Sequence, residues 1–175
     1  MMTWRSAAAA VMAVGALLTA TSPAHAQQLA VDDAAGDTLD PGLDITKVTF
    51  HNRDRAVVAN FEFVSDRRGT VIVFVKARHG SNVRMVSQHP AEGPDKTLFF
   101  AGRKVGHCEG LSTDWNRRAA TLKMRMPSRC LDEGNYGAIR NWALIEGYRS
   151  QSSDVDYAPE GPRGSLRVTD WIARG

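Results

Sequence analysis

The sequence predicts an all-β fold, an antiparallel β-sandwich of jelly-roll or Ig-like form carrying one disulfide. Three observations predict it. Ala56 to Val64 alternates strictly, with Val57, Ala59, Phe61 and Phe63 on one face and Val58, Asn60, Glu62 and Val64 on the other, as a half-buried antiparallel strand does. Short apolar segments recur between turn signals spaced by about eight to twelve residues, the grammar of sandwiches and barrels. No long stretch carries the apolar period of an amphipathic helix.

Taken in order, the chain opens with Arg5, an apolar run from Ala7 to Leu18, and the small-x-small triplet Ala24-His25-Ala26. These are the three parts of a secretory signal peptide. Residues 1–26 are therefore expected to be a leader and 27–175 a single sandwich domain in a secreted or extracellular setting. Ala7 to Leu18 is too short to cross a bilayer and no later run approaches that length, so no membrane span is expected. Gln27 to Gly42 is polar and turn-rich and reads as an N-terminal arm.

Ile45 to His51 and Ala56 to Val64 read as a hairpin around Asn52-Arg53-Asp54-Arg55. Thr70 to Ala77 is an almost unbroken β-prone run and reads as a central strand. Val83 to Ser87 and Lys96 to Ala101 are shorter strands, with a proline-bearing loop from Gln88 to Asp95 between them. Asp114-Trp115-Asn116 reads as a polar turn, and Leu122, Met124 and Met126 alternate with Lys123 and Arg125 in a strand that Pro127 ends. Ala138 to Glu146 is a further strand, Gln151 to Gly164 a loop, and Ser165 to Val168 a last edge strand before Trp171-Ile172 tucks into the core. Cys108 and Cys130 are the only cysteines. The leader directs them to an oxidising compartment, where pairing would remove about 3 kcal/mol of unfolded-chain entropy.

Lys and Arg total 22 and Asp and Glu 19, for a net charge of +3, with both signs interspersed. Arg67-Arg68 and Arg117-Arg118 are single basic turns and not a stripe with aromatics between, so no nucleic-acid partner is expected. The hard ligands cluster at Asp32, Asp33, Asp37, Asp40 and Asp44, interrupted by Gly36 and Gly42. Two readings stand. A flexible Asp/Gly segment can supply the six to eight oxygens that calcium takes, with Asp33, Asp37, Asp40 and Asp44 as ligands and Asp154 or Asp156 completing the set from the far end of the chain. Alternatively, Asp and Gly simply make turns in an arm. The helix-flanked calcium loop is excluded, because its ordered acids and terminal Glu are missing.

His51, His79, His89 and His107 share no metal-ligand spacing, and the chain has no G-x-S-x-G elbow and no H-E-x-x-H helix. No catalytic residue is assigned. For a ligand, rings that stack on sugars are the remaining candidates. Trp115 in its polar turn, and Tyr148 and Tyr157 in or beside the long loop, read as exposed, whereas Trp142 among Ile139, Leu144 and Ile145 reads as core.

Asp33-Ala34-Ala35-Gly36-Asp37, followed by Leu43-Asp44-Ile45 and an alternating strand, resembles the start of small secreted bacterial jelly-roll domains similar to family 9 carbohydrate-binding modules. The resemblance spans only these opening residues. It implies Asp33, Asp37 and Asp44 as cation ligands and a glycan as partner. It departs from the family in lacking a tryptophan pair for sugar stacking.

The expectation is a secreted, monomeric, non-catalytic binding module with a structural calcium and a glycan or cell-surface ligand. The alternative is a protein-binding or inhibitor module acting through an edge strand or the 147–164 loop. A third is an enzyme whose residues come together only in the fold.

Overall fold

The computed structural model describes residues 27–38, 42–90, 92–147 and 155–175. The expected leader, Asp40, Tyr148 and Asp154 lie outside them. Thirteen strands follow in order: β1 Gln27–Asp32, β2 Ile45–Arg53, β3 Ala56–Phe63, β4 Gly69–Ala77, β5 Val83–His89, β6 Lys96–Ala101 and β7 Lys104–Gly106. Then come β8 Ser112–Asn116, β9 Thr121–Pro127, β10 Ile139–Gly147, β11 Val155–Ala158, β12 Glu160–Gly161 and β13 Ser165–Leu166. The helical content of the described residues is two single 3-10 turns, Ser128–Cys130 and Asp132–Gly134.

Two antiparallel sheets form the sandwich, one in the order β1-β2-β3-β9-β8 and the other β11-β10-β4-β5-β6-β7. Strand alternation decides what lies between them. Phe50, Ala59 and Met124 sit on one cross-strand row, and Val48, Phe61, Leu122 and Trp115 on the next. Facing them are Val71, Val73, Val75, Met85, Ala143 and Ile145, all buried in the same core. Thr70 to Ala77 is central as expected, flanked by β10 and β5.

The Cys108–Cys130 disulfide is formed. It ties the approach to β8 to the turn after β9. The tail returns to the start of the described chain: Gly175 exchanges backbone bonds with Asn52 and Asp54, and Ala173 N–H donates to Gln27 Oε1 at 3.1 Å.

Three local expectations are corrected. Gln27–Asp32 is not an arm but a strand paired along β2 from Gln27↔Asn52 to Asp32↔Lys47; its Leu29 and Val31 pack on the core. Asp114-Trp115-Asn116 is not a turn but part of edge strand β8, paired with β9. The expected loop from 151 to 164 contains β11, which pairs with β10. In each case cross-strand hydrogen bonds outweigh a weak, polar local preference.

Candidate metal centre

The carboxylates converge where β1 gives way to β2 and β11 passes alongside. Asp33 follows β1, its N–H donating to Thr46 O at 3.0 Å. Gly36 has φ +84°, a left-handed conformation open to glycine. Its N–H turns inward and donates to Asp44 Oδ2 at 2.7 Å. Asp44 in turn is fixed through its carbonyl, which accepts from Val64 N–H at 3.0 Å. Asp156 points inward from β11, and its Oδ2 accepts from Ile45 N–H at 2.8 Å.

Asp37, Asp44 and Asp156 thereby bring carboxylate oxygens within 4.8 Å of one another, as do Asp33, Asp37 and Glu160. Asp37 belongs to both triads. Asp44 and Asp156 are only 7% and 6% exposed, and Asp44 Oδ1 and Asp33 Oδ2 are buried with no hydrogen-bond partner. Among the described residues no Lys or Arg is ion-paired to any of the five.

The electrostatics follow from that geometry. Burial, then the negative charges of Asp37 and Glu160, push the Asp33 carboxyl up to about 6 from its usual 3.8. Burial likewise pushes Asp156 up to about 7; the Ile45 N–H opposes this, and the charges of Asp33, Asp37 and Asp44 add to it. Asp33 also shares a side-chain hydrogen bond with Asp156, which opposes its rise, while Asp44 Oδ1 is left buried among these carboxylates with no partner.

The donor set is all oxygen, which suits a hard cation, and it falls into two triads that share Asp37. Of the four expected ligands, the fold brings Asp33, Asp37 and Asp44 together; Asp40 lies outside the described residues. From the far end of the chain the fold adds Asp156; Asp154 lies outside the described residues. Glu160 was missed, since nothing around Glu160-Gly161 marks it.

The ring residues are distributed differently from the sequence reading. Trp115 is half-buried on the inner face, stacked on Phe63 at 5.7 Å and on His89 at 4.9 Å. Its Nε1–H donates to the buried Ser87 Oγ at 2.9 Å. His89 beneath it is buried too, with Nδ1 2.6 Å from Asp95 Oδ1. Tyr157 sits across from Leu144 on the outer face of the six-stranded sheet. Trp142 is not core but lies on that same outer face, on the row Trp142–Phe74–Arg84–Phe100. Trp142 and Phe74 stack at 4.7 Å and 6°, and the Arg84 guanidinium lies 5.7 Å and 4.7 Å from the Phe74 and Phe100 rings. Phe74, Arg84 and Trp142 of this ladder also line a cavity of about 280 Å³ with Asn82 and Arg103.

No protein-family model, no curated protein and no solved structure matches the chain.

Proposed function

We propose that the chain is an exported, non-catalytic binding sandwich in which one calcium ion fastens the 33–44 segment to β11. One observation carries the reading: Asp44 is 7% exposed, its Oδ1 has no partner, and it faces Asp37 and Asp156. A buried, unpaired carboxylate oxygen among like charges costs several kcal/mol unless a cation compensates it. Export is supported by the leader pattern and by the disulfide.

The test is thermal melting in millimolar calcium and again in excess chelator. Calcium at a hundred times its dissociation constant adds about 2.7 kcal/mol, a rise of roughly 5 to 11 °C for a domain of this size. Asp44→Asn should abolish the rise. Identical melting of the unaltered protein in both buffers removes the calcium.

The raised Asp33 and Asp156 carboxyls favour a second reading, a general acid–base pair, in which one carboxyl holds a proton beside an ionised neighbour. Under that reading a glycoside panel shows turnover that Asp156→Asn abolishes and calcium inhibits. The binding reading expects calcium heat and no turnover.

A further inference from the structure

A second charged site lies at the other end of the sandwich. A cavity of about 360 Å³ is lined by Arg55, Gly110, Arg125, Pro127, Ser128 and Arg129, within the size range of small-ligand pockets. Three arginines from three separate elements line it. Arg55 comes from the β2–β3 turn, Arg125 from the outer face of β9 opposite Val58 and Ser112, and Arg129 from the 3-10 turn after β9.

The walls are held in place. Ser128 N–H donates to Arg55 O at 3.0 Å, joining two of the arginine-bearing segments. The disulfide joins the Gly110 and Arg129 segments. Gly110 has φ +80°, and a Cβ there would lie 3.2 Å from Pro127 Cγ and 3.5 Å from Arg129 Nη2. A larger residue would therefore be strained at this φ and would crowd Pro127.

Positive charge here is poorly compensated. Arg129 Nη2–H donates to Glu109 O at 2.7 Å and lies 3.6 Å from the exposed Glu109 carboxylate. Among the described residues, neither Arg55 nor Arg125 is ion-paired. The surrounding field is positive as well: on the row shared with Val58 and Arg125, the His51 imidazole is pushed down by burial, then by Arg53 and Lys123.

We propose that this cavity binds a tetrahedral oxyanion, the phosphate or sulfate ester of a larger ligand. A carboxylate offers two oxygens in one plane and is satisfied by one guanidinium fork; three arginines lining one cavity from separate elements supply enough donors for the three or four oxygens of a phosphate or sulfate. The cavity exceeds what a bare oxyanion fills, leaving room for the esterified group. The proposal is independent of the calcium reading and stands or falls separately.

The test titrates the disulfide-bonded protein, labelled with ¹⁵N, with inorganic phosphate, inorganic sulfate and acetate at constant ionic strength, then with glycerol phosphate and a sulfated disaccharide. Saturable shifts at Gly110, Ser128 and Arg129 with phosphate and sulfate are expected, and weaker ones with acetate. One ester should bind more tightly than its inorganic parent, identifying the source. Arg125→Gln should weaken binding by about tenfold or more. Arg55→Gln, on an exposed turn, should do the same with an unchanged melting midpoint. Shifts that fail to saturate, that ignore both substitutions or that acetate reproduces equally would overturn the proposal.

Discussion

Asp156 and Asp33 set the response of the metal-free protein to pH. Folding raises their carboxyls from 3.8 to about 7 and about 6, so the folded chain keeps protons that the unfolded chain has released. Stability without metal is then greatest at or below about pH 4 as far as these two groups are concerned, and it falls as pH rises toward 7. In chelator, the melting midpoint should drop between pH 5 and pH 8. With calcium the trend should reverse, because the ion competes with those protons and its stabilisation grows with pH. Asp156→Asn keeps an oxygen for the Ile45 N–H while removing the buried charge. It should stabilise the chelated protein by about 1–3 kcal/mol in urea melts at pH 8 and eliminate the calcium response. Asp33, Asp37 and Asp44 were legible because short Asp/Gly spacing is a local signal. Glu160 was not, because only the path of the chain after β11 brings it there. Trp115 misled for a related reason: its polar neighbours Asp114 and Asn116 are the outward positions of a strand, and in a five-residue edge strand such alternation looks like a turn.

At the scale of elements, β4 begins at a glycine for want of space. A Cβ on Gly69 would lie 2.9 Å from Leu43 Cδ1 and 3.3 Å from Glu146 O. Gly69→Ala should therefore cost about 1–3 kcal/mol in denaturant unfolding, and combined with Leu43→Ala the total loss should be smaller than the sum of the two single losses. The disulfide closes a span of 22 residues around β8 and β9. Reduction should remove about 3 kcal/mol of stability, and if the arginine cavity binds oxyanions, it should loosen that binding because Gly110 and Arg129 lose their tie. β2, β3 and β9 were legible from alternation, β4 from its almost unbroken β-prone run, and β5, β6 and β10 as short apolar segments between turn signals. β1 and β11 were not: Gln27–Asp32 and Val155–Ala158 are short segments whose strand state comes from their long neighbours β2 and β10.

At the scale of the whole molecule, the sandwich class could be read from the spacing of turns, but its strand order could not. β3 beside β9 and β4 beside β10 are pairings between distant segments, and nothing local announces them. The finished fold puts carboxylates at the Ile45 end of β2 and guanidiniums at its Arg53 end, separated by nine residues of extended chain. That is about 27 Å, several times the roughly 8 Å screening length at physiological salt. Phosphate affinity measured in calcium and in chelator should therefore agree within about twofold, and a larger difference would mean the sheets transmit strain. Residue 27 and Gly175 meet at the Arg53 end. Both lie about 27 Å along β2 from the acidic end, so a reporter group placed on Gly175 should leave the calcium response unchanged.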